Sequence, residues 1–247
     1  MLPPRLIAPA LILAAATASP PLFAQERAPA LPHVYHTSWT IRDGAPGDIQ
    51  TLAQTPDGFL WIGTLSGLFR FDGVRFELFE PAPTDSLLSA GISALLPLAD
   101  GGLWVGYQFG GVSLIGNGGI RSYGEDDGFP RGTVMRLVRD SAGGIWAGTT
   151  QGVAMLENDR WQKIGPEEGL SGAPVTGMLV DVAGRIWVSA DDGMFMRSHG
   201  VTRFERVGPA RSSNVGFRER DVLHEAPDGT IWSSTFEHGL RRLASPD

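Results

Sequence analysis

The chain has 247 residues, 42% of them hydrophobic and 19% charged, with 33 Gly, 18 Pro, 7 Trp and no Cys. That apolar share suffices for a sizeable core and excludes a disordered chain, and the lack of cysteine excludes disulfides, thiolate metal sites and cysteine nucleophiles. A net charge of -7 argues against a nucleic-acid partner, which needs a basic face to neutralise phosphates.

The chain begins with an address. Arg5 precedes an almost wholly apolar run from Leu6 to Ala16, Pro20 and Pro21 break it, and Ala24 stands at the cleavage position. This order reads as a secretory signal peptide over residues 1–24, too short to span a bilayer as a helix. An uncleaved anchor is the alternative. Residues 25–33 read as a linker, and residues 34–247 carry the fold.

Five repeats follow. Trp61, Trp104, Trp146, Trp187 and Trp232 recur at intervals of 41–45 residues. Three positions before each lies a glycine (Gly58, Gly101, Gly143, Gly184, Gly229), and nine before lies Leu52, Leu95, Leu137, Met178 or Leu223. Two positions after is a small residue: Gly63, Gly106, Gly148, Ser189 or Ser234. A period of ~40–45 residues with this patterning marks a repeat architecture.

Each unit reads as four short strands, a to d. In the first they are 49–54, 59–63, 67–71 and 74–79, and the units fall near 49–79, 92–123, 134–164, 175–206 and 222–243. Asp-Gly pairs at 57–58, 72–73 and 228–229 supply the positive φ that tight hairpins demand. Apolar side chains on both faces of strand b fit sheets covered on both sides. The expected fold is all-β, a β-propeller with five recognisable four-stranded blades. Segment 34–40 resembles a strand d and is a candidate closing strand for the fifth unit, which ends before its own d. Either the five units close a small ring, or they are part of a larger propeller, typically of seven blades. The repeated Trp read as packing between blades rather than as ligand platforms, because they recur at one blade position.

The run Asp57-Gly58-Phe59-Leu60-Trp61-Ile62-Gly63-Thr64, followed by Gly67-Leu68-Phe69-Arg70-Phe71-Asp72-Gly73, resembles the two-component regulator propeller repeat. The lead-in Trp39-Thr40-Ile41-Arg42-Asp43-Gly44 resembles the stretch before the first such repeat. The resemblance implies the periplasmic sensor region of a membrane histidine kinase or diguanylate cyclase. It also implies a non-enzymatic binding module, here without its output module, that joins a membrane only through a missing C-terminal part and dimerises through the full receptor. The partner it implies is a small-molecule or glycan ligand; no nucleic acid and no cofactor are expected.

In a propeller the b–c and d–a loops share one face, and binding concentrates there. Positions that differ between blades at the same loop are free to specialise. On that ground the candidate ligand-binding residues are Arg42, Gln108, Phe109, Arg131, Gln151, Asp192, Glu237 and His238, and the same loops carry Asp43, Asp127, Glu167 and Glu168. No histidine pair has metal-ligand helix spacing, so no metal is assigned. His224-Glu225 with Glu237-His238 offers a general-base cluster, the basis for a second reading as a propeller lyase or hydrolase of the streptogramin-lyase type. A protein-binding scaffold is the third.

Overall fold

The chain divides into two compact units, Met1–Ser38 and Trp39–Asp247. The computed structural model describes residues 36–208, 221–235 and 239–243. The expected signal peptide and linker therefore lie outside the described residues, as do Val34 and Tyr35 of the candidate closing strand. Residues 36–40 of that segment form no strand. No helix of the described residues is long and apolar enough to cross a membrane.

The second unit is an all-β propeller of five blades, each a meander whose strands pair antiparallel in chain order. Blade 1 holds β1 (Ile49–Gln54), β2 (Leu60–Thr64), β3 (Leu68–Phe71) and β4 (Phe76–Leu78). Blade 2 holds β5 (Ile92–Pro97), β6 (Leu103–Tyr107), β7 (Val112–Gly116) and β8 (Gly119–Tyr123). Blade 3 holds β9 (Val134–Arg139), β10 (Ile145–Thr149), β11 (Gly152–Glu157) and β12 (Arg160–Ile164). Blade 4 holds β13 (Val175–Val180), β14 (Ile186–Ala190), β15 (Gly193–Arg197) and β16 (Glu205–Val207). Blade 5 has three described strands, β17 (Val222–Glu225), β18 (Ile231–Thr235) and β19 (Gly239–Arg242).

The turn between the first two strands carries the same glycine in every blade, and an aspartate at one of two places: just before that glycine in blades 1, 2 and 5, three residues before it in blades 3 and 4. The glycine three positions before each Trp has φ between 74° and 93°, a region that costs a side-chain-bearing residue energy. An aspartate closes the same turn by accepting a backbone N–H on its Oδ1: Asp57 from Phe59, Asp100 from Gly102, Asp140 from Gly144, Asp181 from Arg185 and Asp228 from Thr230. These bonds, Asx turns at Asp57, Asp100 and Asp228 and longer reaches at Asp140 and Asp181, let a short polar side chain replace a missing backbone partner.

The recurrent Trp are packing residues. Trp104, Trp146 and Trp187 are at most 2% exposed and Trp61 8%, whereas Trp232 is half-buried. Each of the first four belongs to a cluster with the following blade: Trp61 with Ile92, Trp104 with Val134, Trp146 with Val175 and Trp187 with Ile231. Three of the indole N–H groups donate to the residue six positions earlier, at 3.0 Å to Thr55, 2.8 Å to Asp140 and 2.8 Å to Asp181. The small residue two positions after each Trp is where the next blade arrives. A Cβ at Gly63 would lie 2.6 Å from Ile92, one at Gly106 2.6 Å from Val134, and one at Gly148 2.7 Å from Val175. Between blades 4 and 5 the small residue is Ser189, whose hydroxyl bonds the Asp221 carboxylate.

The inner strands meet in chain order, β1 with β5, β5 with β9, β9 with β13 and β13 with β17, and no comparable contact joins β17 to β1 among the described residues. Ile49, Leu52 and Leu78 of blade 1, and Val222 and Leu240 of blade 5, are correspondingly exposed.

Candidate functional site

The loops that follow the second strand of a blade and those that precede its first strand lie on one face, as expected. In blades 2, 3 and 4 the pair is tied by a backbone hydrogen bond: Gln108 N–H to Gly91 O, Thr150 N–H to Thr133 O and Asp191 N–H to Pro174 O, at 2.9–3.0 Å. Two side-chain bonds add to these, one between blades 2 and 3 and one between the two loops of blade 4. The Thr133 hydroxyl donates to the Gln108 carbonyl, and the Ser171 hydroxyl donates to Asp192 Oδ2 at 2.8 Å.

Glycines let these loops approach closely. A Cβ at Gly110 would lie 3.6 Å from Arg131 Cα, one at Gly132 would lie 3.1 Å from Gln151 Cγ, and one at Gly152 would lie 3.1 Å from Gly172 Cα. Gln108, Phe109, Arg131, Gln151 and Asp192 therefore lie along one contiguous strip that crosses blades 2, 3 and 4. Phe109 is 85% exposed, Gln151 is exposed and Gln108 is half-buried. Arg131 is engaged by Glu125 at 2.6 Å.

The other candidates divide. Arg42 sits exposed in a one-turn 3₁₀ helix, Ile41–Asp43, ahead of β1. Glu237 and His238 lie outside the described residues. The acidic residues Asp43, Asp127 and Glu168 cap the turn before β1, β9 and β13. They accept the backbone N–H of Thr40, Gly124 and Gly165, each at 2.8 Å, just ahead of a glycine in left-handed conformation. The bonds from the Thr40 backbone and hydroxyl hold the Asp43 carboxyl below its ordinary value. Of the proposed catalytic cluster, His224 is exposed on β17, while Glu225 accepts the Val182 N–H of blade 4 at 2.8 Å. No group of three or more His, Asp or Glu able to hold a metal occurs among the described residues.

The strip ends in a cleft on the seam between blades 3 and 4. It is small, with about 10 Å³ of free volume, room for one water-sized group, and its walls include the buried Val153, Leu170, Val175, Val188 and Phe195. Its polar side chains are Ser171 and Asp192, of which Asp192 carries the charge. The Asp192 side chain is held in place: Ser171 donates to Oδ2, and Arg206 lies 3.7 Å from the same oxygen and bonds the Asp192 carbonyl. The second carboxylate oxygen, Oδ1, is buried and has no hydrogen-bond partner among the described residues. An acceptor in this condition carries an uncompensated desolvation cost of ~1–3 kcal/mol or more, which an incoming donor would remove. The apolar walls and fixed acceptor suit one small donor group, a hydroxyl or ammonium, projecting from a ligand. Ser171 and Leu170 were not singled out from sequence, because nothing in a lone loop segment says which neighbouring loop it will meet.

Comparison with known proteins agrees with this architecture. Residues 43–66 match the family model of the two component regulator propeller. The extracellular domain assigned to a hybrid two-component system of B. thetaiotaomicron superposes with a TM-score of 0.67 at 22% identity, covering 81% of this chain and 28% of its own. A second extracellular domain from that organism, assigned to a one-component system, gives 0.63 at 16% identity over 80% of this chain and 30% of its own. The chain thus spans less than a third of either. Virginiamycin B lyase from Staphylococcus aureus, in a catalytically inactive form with quinupristin, gives 0.56 at 13% identity over 79% of this chain and 69% of its own. No curated protein matches the sequence. The chain is therefore similar in fold to extracellular domains of two-component and one-component systems, and its residues 43–66 are similar to the two component regulator propeller repeat.

Proposed function

We propose that this chain is the ligand-binding, non-enzymatic input region of a periplasmic signalling receptor, with a small molecule or glycan as ligand. The observation that carries the reading is the Asp192 cleft: a positioned carboxylate with one buried, unpartnered oxygen, set among apolar side chains on the face where the loops converge. A sugar has the required chemistry, since one of its hydroxyls fits the cleft and donates to Asp192 while the ring stays on the loop face outside it. The cleft spans two blades, so a ligand bridging Gly152 and Val153 of blade 3 to Asp192 of blade 4 favours whichever blade spacing fits it best. In a longer receptor that preference becomes the signal, because a ligand shifts an equilibrium by its differential affinity for the two states.

The test is a thermal-shift screen of the exported chain against neutral and acidic oligosaccharides, run beside Asp192→Ala. The expected result is a ligand that raises Tm for the wild type and not for the variant, with unliganded Tm values that agree or favour the variant. Turnover of a substrate, lost on replacing His224 or His238 with folding intact, would instead establish the lyase or hydrolase reading that the likeness to virginiamycin B lyase supports.

A further inference from the structure

Arg136 stands apart from every other charged residue of the inner strands. It is the third residue of β9, opposite Gly148 of β10, about 7 Å along the strand from the loop face at ~3.3 Å per residue. The equivalent register positions, opposite the small residue of the second strand, are Thr51, Ala94, Gly177 and Val222. All four are uncharged, and the two on the neighbouring inner strands, Ala94 and Gly177, present at most a methyl group. A β-bulge sits just before this position, between Gly148 and Thr149 in the register, and recurs in blades 1, 2 and 4. The bulge is scaffold, and bulges re-aim the side chains beside them. The arginine is what blade 3 adds.

Its guanidinium is half-buried. Burial alone lowers its pKa, with no carboxylate acting on it, and it makes no hydrogen bond or ion pair with the described residues. Arginines drawn part-way out of water are ordinarily paired, because the lost hydration is otherwise uncompensated, and the solvent contact that remains leaves the fork accessible to a ligand. In a chain of net charge -7, an arginine could readily have been given a carboxylate here.

We propose that Arg136 is an oxyanion-binding residue at the inner edge of the recognition face, so that the ligand class carries a carboxylate, sulfate or phosphate group. This deepens the ligand-binding reading above and rests on it. Val175, which lines the Asp192 cleft, also fills the space in front of Gly148, the cross-strand partner of Arg136. Both features therefore belong to the seam between blades 3 and 4. The anionic group takes the guanidinium through paired, charge-assisted hydrogen bonds, while a hydroxyl of the ligand reaches Asp192.

The experiment titrates the whole exported chain with sulfate, phosphate and acetate at fixed ionic strength and follows heat and Tm. The wild type is run beside Arg136→Met, Arg136→Lys and, as a surface control, Arg121→Gln. Sulfate stabilises proteins generally by exclusion from their surfaces, so the readout is the difference between chains. Saturable wild-type binding is expected, weakened at least tenfold in Arg136→Met and unchanged in Arg121→Gln, with Arg136→Met as stable as the wild type or more so without anion. The ranking of acetate against sulfate and phosphate separates a carboxylate ligand from an esterified one. If Arg136→Met does not fold, Arg136→Lys decides: it keeps the charge but not the fork, and weakened binding is expected. No saturable binding by the wild type, or equal binding by the variant that folds, overturns the proposal. Either failure leaves the Asp192 screen with neutral saccharides to judge the ligand-binding reading separately.

Discussion

Blades 1 and 3 are built to the same repeat, yet they live in different surroundings. Leu137 of β9 is 5% exposed because blade 2 covers it, whereas the equivalent Leu52 of β1 is 56% exposed. Trp146 is 1% exposed and its indole N–H reaches Asp140, while Trp232 of blade 5 is only half-buried. The difference teaches that the repeat specifies a blade but not its stability. A blade is a thin twisted sheet with two apolar faces, and most of its hydrophobic gain comes from whatever packs on those faces. The candidate site follows the same division. Its cleft lies on the seam between blades 3 and 4, where both partners are anchored on their other sides.

The comparison can be broken by substitution, beginning with the largest effect. Trp146→Ala should cost ~3–5 kcal/mol, while Trp232→Ala should cost clearly less. At ~2–4 °C of Tm per kcal/mol for a chain of this size, calorimetry resolves the two, and equal shifts would show that the end blades are as enclosed as the middle. Next comes Leu137→Ala, at ~2–5 kcal/mol, against Leu52→Ala within ~0.5 kcal/mol, read from urea midpoints. Gly106→Ala should cost ~1–3 kcal/mol, because its new Cβ would sit 2.6 Å from Val134 and 2.8 Å from that residue's Cβ in a seam that cannot spread freely.

The smallest expected effect is one of pH. Burial pushes the Tyr107 hydroxyl above its ordinary value, against the Ser113 hydrogen bond that lowers it. The folded state therefore holds this proton more tightly than the unfolded chain. That contribution is fully present below the unfolded value of about 10 and is lost as pH rises through the folded one. Stability should fall above about pH 10, and Tyr107→Phe should flatten that fall. Tyr123, raised by burial in the same direction, leaves a residual slope.

The fold was legible in the sequence because each blade imposes the same local demands. A turn needs positive φ three residues before the Trp, and the next blade needs a small residue two after it, so Gly58 and Gly63 return as Gly101 and Gly106. The indole acceptors Asp140 and Asp181 were not read, since Leu98 and Ala226 stand at that position in blades 2 and 5 and blur the pattern. At the candidate site, Asp192 was singled out because its loop differs from its counterparts. Asp43, Asp127 and Glu168 had the opposite signature: each stands just before a glycine at the same place in the repeat, and recurrence of that kind marks a turn cap. Arg136 escaped because only loops were compared between blades. Lining up the inner strands as well would have exposed a lone charge where the other four blades have Thr, Ala, Gly and Val.

The most direct measurement is calorimetric titration of the exported chain and of Asp192→Ala with a hydroxyl-rich ligand found by the thermal screen. The account predicts saturable binding by the wild type and at least tenfold weaker binding by an equally stable variant. Undiminished affinity in Asp192→Ala would contradict it, and would move recognition away from the seam between blades 3 and 4.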